Sequence, residues 1–243
     1  MATKEIAYRS RTLQYTYDPA AAWTDLDQQL ADALYGEVEM DMRHEADVQA
    51  LMDRAAALSR KLEALSERTT EVRTLLRKAQ TTASEFVGML RLGKQGMEDD
   101  FAEAVNNASE ALHERHEELS ALHKVYEPLC DEHKEIVDRM DQEGEAWDDK
   151  MQELIKKACE TDGLATDAVS FDSAYEELLG MMAVHHDHRK DQLQFILDVL
   201  REYELQQERA RGQQEVWEEF CERLKMIEML GHDMSGVVQI GMN

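Results

Sequence analysis

Apolar residues in the first half of the chain recur at alternating steps of three and four. The run continues without a slip from residue 48 to residue 90, with one polar member: Val48, Leu51, Ala55, Leu58, Leu62, Leu65, Thr69, Val72, Leu76, Ala79, Ala83, Phe86 and Leu90. This spacing is the period of helices that pack along one another as a coiled coil. With Thr24 as an N-cap, it predicts a first helix over 24–92.

Two glycines predict where the first helix ends and a second begins. Gly93 and Gly96 stand three residues apart, which is typical of a short turn, so the next helix should fold back on the first. The second helix is predicted over 97–159. Pro128 lies in its middle and should kink it, because proline lacks the amide hydrogen and its ring clashes with the preceding turn.

A segment without helical spacing, 161–167, separates the second helix from a third, predicted over 171–230. We call the row of positions that recur at steps of three and four, and that should face the neighbouring helices, the seam of a helix. Most seam positions of the third helix are apolar, but Arg189, Gln207 and Gln214 also fall on its seam. A polar side chain is costly to bury without a partner. These three residues therefore mark either places where the bundle opens to solvent or places where a second subunit supplies an acceptor.

The predicted fold is all-α, an elongated antiparallel bundle of three long helices over 24–230. Helices this long are not held by helix propensity alone and must pack against neighbours along most of their length. The flanking segments 1–23 and 231–243 are predicted to be irregular tails.

Composition narrows the functional classes. The 243 residues hold 52 acidic and 27 basic side chains, for a net charge of −25. Such a charge argues against general nucleic-acid binding, which needs a positive surface. The sequence contains neither a long apolar run nor a recognisable signal peptide, and its three cysteines are far apart, which fits reduced thiols. We therefore expect a cytoplasmic protein.

The charge is unevenly distributed. Segment 97–160 holds 20 acidic and 7 basic residues, whereas segment 1–96 holds 15 and 13. We expect the basic flank of the first helix to pair with the acidic second and third helices and so to set packing order. The alternative is that this flank faces an anionic partner.

No catalytic constellation is evident. The sequence lacks a dinucleotide-binding glycine motif, and its Gly93-Lys94-Gln95-Gly96 segment lacks the spacing of a phosphate-binding loop. Glu110 and His113 form one Glu-x-x-His pair, where a di-iron bundle needs two. In the cluster of His185, His186 and His188, positions 185 and 188 could chelate a metal and His186 falls on the seam, where it could respond to pH, but a chance polar patch is the favoured interpretation. We expect no enzyme activity, cofactor or metal.

The layout resembles the BAR-domain superfamily, whose subunits are three-helix antiparallel coiled coils. The similarity is carried by Tyr126-Glu127-Pro128-Leu129 in the second helix, by the run from Trp147 through Lys156-Lys157 into a glycine-containing break, and by the rhythm from Phe171 to Tyr203. The resemblance implies a homodimer built as a six-helix bundle. It also implies that Lys150, Lys156 and Lys157 lie near a membrane-binding tip, although a net charge of −25 departs from the positive surface of membrane-bending members.

Two functions are compatible with these features. The first is a non-enzymatic BAR-like scaffold, peripheral to a membrane, that uses its shape, local basic tips and partner proteins. The second is a coiled-coil cytoskeletal or ciliary scaffold without direct membrane contact, which the acidity favours because like-charged rods stay soluble while basic partners dock.

Overall fold

A computed structural model of the chain describes residues 2–8, 11–17, 25–93, 96–160 and 171–229. In these residues the main elements are three helices, α1 (Asp25–Arg91), α2 (Glu98–Glu160) and α3 (Phe171–Met229). Each end lies within one residue of its predicted position. The predicted helical class is therefore confirmed for the described part of the chain.

The N-terminal segment corrects one prediction. Instead of an irregular tail, it contains strands β1 (Ala2–Tyr8) and β2 (Arg11–Tyr17), paired antiparallel from Ala2↔Tyr17 to Tyr8↔Arg11. The physical reason is composition: threonine, leucine and tyrosine make up five of the seven residues of β2, β1 contains Thr3, Ile6 and Tyr8, and such residues favour extended backbone. The predicted tail 231–243, the break 161–167 and the Thr24 cap lie outside the described residues.

Gly93 and Gly96, which flank the end of α1 and the start of α2, both adopt positive-φ backbone conformations. Gly93 has a φ of 66° and Gly96 a φ of 122°, and residues that carry a Cβ rarely adopt such positive values. The amide of Gly93 donates to the Leu90 carbonyl at 3.0 Å, which closes the last turn of α1. Glu98 then accepts a hydrogen bond from the Gly96 amide at 2.9 Å at the start of α2.

All three helices contribute to two compact units. Unit 1 comprises residues 1–54 and 129–197, and unit 2 comprises residues 55–128 and 198–243. Helix α2 continues through the exposed Pro128, which is the last residue of its unit 2 part. The predicted kink at this proline stays a prediction.

Apolar side chains from α1, α2 and α3 form the core of unit 2. Phe86 and Phe101 stack there with ring centroids 5.1 Å apart. In unit 1, a smaller cluster joins Ala33, Met151 and Leu154, and the indole of Trp147 donates to the Ala33 carbonyl at 3.4 Å. Each unit is thus held by side chains from more than one helix.

The predicted seam of α1 is confirmed, whereas that of α3 needs correction at two glutamines and at His186, which is exposed. Of the thirteen α1 positions from Val48 to Leu90, all are buried except Leu90, which is half-buried. On α3, Gln207 and Gln214 are exposed, and their neighbours Gln206 and Gln213 are buried instead. Both choices satisfy a three-and-four alternation, so spacing alone does not decide between them.

The seam predicts a large energetic difference between two leucines of unit 2. Leu65 is 1% exposed, and Leu65→Ala should lower the free energy of unfolding by about 2–5 kcal/mol because it leaves a cavity. Leu205, at 39% exposed, is the matched control, and Leu205→Ala should cost less than about 1 kcal/mol. Equal losses in denaturant titrations would contradict the assigned interior.

Candidate functional site

The most unusual feature of the described helices is a set of polar side chains buried in their interior. In unit 1 these form a group that we call the unit 1 cluster, and in unit 2 a second group that we call the unit 2 cluster. The members are Glu37, Asp41, His44 and Arg189 in the first, and Thr69, Arg115, Gln206 and Gln213 in the second. Since burying a polar group is costly without a partner, each cluster is a candidate for function.

The unit 1 cluster is built on one face of α1. Glu37, Asp41 and His44 follow one another at steps of four and three, which places them on the same side of the helix. Asp41 forms an ion pair with Arg189 of α3, and the two side chains are only 2% and 6% exposed. A buried pair of this kind is sensitive to the loss of either partner.

His44 is held by a carboxylate from α2. Its Nε2 lies 2.6 Å from Oε2 of Glu143, and the same oxygen accepts a hydrogen bond from Arg43 at 2.7 Å. Partial burial would raise the pKa of Glu143, but the hydrogen bonds with His44 and Arg43 outweigh it and lower the pKa. Glu143 is therefore held in its charged form.

Glu37 has a different environment. Its side-chain Oε2 is buried and makes no hydrogen bond to any described residue. Burial, followed by repulsion from Asp41 and Asp148, raises the pKa of Glu37 to about 7. It lines a cavity of about 330 Å³ together with three methionines, Met40, Met140 and Met182. The carboxyl is thus poised to take up a proton near neutral pH.

The histidine cluster of the third helix meets this cavity at one residue only. His186 lines the cavity, and partial burial, with Lys190 and Arg189 nearby, lowers its pKa. His185 is half-buried and His188 is exposed. Among the described residues, histidine, cysteine and carboxylate side chains do not form a group of three that could hold a metal ion.

The unit 2 cluster contains a hydrogen-bonded polar layer. Gln213 donates from Nε2 to the Thr69 carbonyl at 2.9 Å, and the Thr69 hydroxyl donates to Oε1 of Gln206 at 3.2 Å. The hydroxyl has a single hydrogen, which it shares between Gln206 and the closer Leu65 carbonyl at 2.8 Å. This layer explains why α3 buries Gln206 and Gln213 rather than the residues that follow them.

Arg115 is the least satisfied member of the unit 2 cluster. It is 2% exposed, and its Nη2 donates to the Ala210 carbonyl at 2.9 Å. Its Nε and Nη1 have no hydrogen-bond partner among the described residues. Burial lowers its pKa. It lines a groove of about 610 Å³ between α2 and α3, which we call the Arg115 groove.

The lysines predicted from the resemblance are only partly described. Lys150 is exposed on α2. Lys156 and Lys157 lie on the same helix, but only their backbone is described. Their proposed grouping at a tip stays a prediction.

Sequence reasoning placed Arg189 on the seam of the third helix, where it is buried, but missed the three α1 members of the unit 1 cluster, although a signal for them exists. Continuing the alternation backwards from Val48 by four, three and four residues reaches His44, Asp41 and Glu37. The looser apolar stripe through Leu34 and Val38 obscured this continuation.

Comparisons with protein-family models, curated proteins and solved structures find no match for this chain. In the described residues, every helix falls short of the apolar length that a membrane crossing requires.

The pKa of Glu37 predicts a pH-dependent stability. A carboxyl whose pKa is raised by folding binds more protons in the native state, so stability falls as pH rises from about 4.5 to 7. Glu37→Gln should therefore be more stable than the natural chain at pH 8, by up to about 3 kcal/mol, and similar at pH 5. Exposed Glu39→Gln is the control. A pH-independent difference in denaturant unfolding would show the assignment to be wrong.

The Asp41–Arg189 pair predicts a strong dependence on both partners. Asp41→Asn leaves a buried guanidinium without its anion and should lower the free energy of unfolding by about 3–5 kcal/mol. Adding Arg189→Met should restore much of that loss. The half-exposed Arg139–Asp47 pair offers a comparison in the same unit, and Asp47→Asn should cost under about 1 kcal/mol. Equal costs for Asp41→Asn and Asp47→Asn would refute the distinction.

Proposed function

We propose that this chain is a non-enzymatic helical scaffold that presents long charged surfaces to partners. One observation carries the proposal: helices of 67, 63 and 59 residues use their buried faces for packing on one another. Their exposed faces are rich in charged side chains. Such an arrangement suits a protein that holds other molecules by its surface.

Ion pairs support the finer form of the proposal, an antiparallel BAR-like bundle. In unit 1, α1 residues pair with α2 residues whose numbers fall as those of α1 rise: Arg43 with Glu143, Asp47 with Arg139, and Arg54 with Glu132. In unit 2, Arg68 pairs with Glu114 and Glu118. Except for Asp47–Arg139, which has the opposite sense, these contacts join basic residues of α1 to acidic residues of α2. Homodimerisation into a six-helix bundle belongs to the same proposal.

A membrane surface is the first proposed site of action, in the cytoplasm and with partner proteins. Lys150, Lys156 and Lys157 occupy the last turns of α2, and Lys150 is exposed. Basic residues near an anionic leaflet contribute about 1 kcal/mol each. A cluster of three can therefore supply local attraction despite the acidic chain.

A second candidate, a coiled-coil cytoskeletal scaffold without membrane contact, is favoured by the surroundings of Lys150. Exposed Asp148 and Asp149 precede it directly, and exposed Glu153 lies one helical turn later. These carboxylates offset the positive charge at that position. A basic protein partner would suit such a surface better than an anionic lipid would.

Co-sedimentation with vesicles separates these candidates. At low salt, the chain should pellet with anionic but not neutral vesicles, and physiological salt should weaken binding because charges are screened. Lys156→Glu/Lys157→Glu should abolish binding. The control is Lys124→Glu/Lys134→Glu, which replaces two exposed α2 lysines and changes the net charge by the same amount. This control variant should retain most of the vesicle binding.

The contrary outcomes are equally specific. Equal loss in both double variants would mean that general charge, not the α2 end, governs binding. Failure of the natural chain to bind any vesicle would overturn the membrane proposal. Co-purification with an insoluble cytoskeletal fraction would then support the second candidate.

A further inference from the structure

Two buried charges in the described helices differ in how they are neutralised. Glu37 can accept a proton, and its pKa of about 7 makes this possible near neutral pH. Arg115 has no such route, because a guanidinium stays protonated in proteins even when burial lowers its pKa. A buried cation that cannot lose its charge requires an anion.

The described residues do not supply that anion. Arg115 donates one hydrogen bond, to the neutral Ala210 carbonyl, while Nε and Nη1 have no described partner. Two carboxylates line the same groove, but both have other contacts. Glu215 pairs with Arg211 at 3.9 Å, and Glu218 accepts a hydrogen bond from Gln214 at 3.0 Å. The counter-ion of Arg115 is therefore expected from outside the described chain.

The dimensions of the Arg115 groove indicate what kind of molecule would carry the anion. Its lining extends from Leu112 to His123 on α2 and from Tyr203 to Glu218 on α3. At a rise of 1.5 Å per residue, these stretches span roughly 16 and 22 Å, or three to four helical turns. A single small anion would occupy only a fraction of this length.

The chemistry of the lining agrees with a helical occupant. Apolar side chains from both helices line the groove on either side of Arg115, namely Leu112, Leu119, Tyr203 and Ala210. Polar residues at its edges, such as His116 and Gln207, are exposed. An apolar floor that contains one buried cation is complementary to an apolar helix face that contains one carboxylate.

We propose that the Arg115 groove binds an amphipathic helix of a partner protein, and that a glutamate or aspartate in the apolar face of that helix pairs with Arg115. The proposal rests on the scaffold function and names the chemistry of its partner. The anion specifies register, since Arg115 is buried whereas the other arginine of the lining, Arg211, is exposed and can be neutralised by solvent ions. Apolar contacts on either side supply the remaining burial.

The test uses the full chain and two designed probes. One is a fluorescent 21-residue helical peptide with leucines at heptad positions and a single glutamate in the centre of its apolar face, and the other has glutamine there. Fluorescence anisotropy should show roughly tenfold tighter binding of the glutamate peptide, as expected for a hydrogen bond between charged groups. Arg115→Met should remove this preference. Arg211→Met, at the groove edge, should keep it.

Several results would overturn the proposal. These are failure of both peptides to bind, equal affinity for the two, or a preference that survives Arg115→Met. A second measurement is the free energy of unfolding of the chain without peptide. Arg115→Met should be at least as stable as the natural chain, because the substitution removes an uncompensated buried charge. A marked loss of stability would mean that Arg115 already has an anion.

Sedimentation equilibrium identifies the alternative occupant. A dimer of the free chain that Arg115→Met dissociates would place a second copy in the groove and overturn the partner assignment. A dimer unaffected by Arg115→Met, with the peptide preference intact, supports it. Because none of these readouts contains lipid, failure of the groove is distinguishable from failure of the membrane proposal.

Discussion

A polar or charged side chain buried between long helices needs a partner at the same level along the helix axis, and both units contain such partnered groups. An apolar seam alone tolerates a shift by one repeat, because leucine packs against leucine at many registers. The Asp41–Arg189 pair in unit 1 and the contacts of Thr69 with Gln206 and Gln213 in unit 2 do not tolerate it. A shift would leave these groups buried without partners, at a cost of several kcal/mol.

The buried polar groups also connect the fold to its proposed function. Asp41 is neutralised by a partner within the chain, and Glu37 can be neutralised by a proton. Arg115 remains without a described anion, and it lines the groove for which we propose a partner helix. A scaffold needs interior positions that hold its own helices and surface positions that accept others. In this account the difference lies in whether each buried charge is satisfied inside the chain.

The sequence predicted the helices well because a heptad repeat without interruption leaves few alternatives, and glycines mark the first turn. It failed at Gln206, because either of two adjacent glutamines continues the alternation and only Thr69 on α1 decides between them. It also failed at Glu37 and at the N-terminal hairpin. At Glu37 the reason is that charged residues at heptad positions resemble an interruption of the apolar seam. At the hairpin the reason is that two strands of seven residues give a much weaker pattern than a helix of 67 residues.

Disulfide cross-linking tests the central claim most directly, namely that α3 turns Gln206, and not Gln207, towards Thr69 of α1 in unit 2. In a chain whose Cys130, Cys159 and Cys221 are replaced by serine, Thr69→Cys would be combined with either Gln206→Cys or Gln207→Cys. The account predicts that mild oxidation forms the disulfide with position 206 and not with position 207, since the Thr69 and Gln206 side chains approach within 3.2 Å and Gln207 is exposed. Efficient cross-linking at 207 with none at 206 would contradict it.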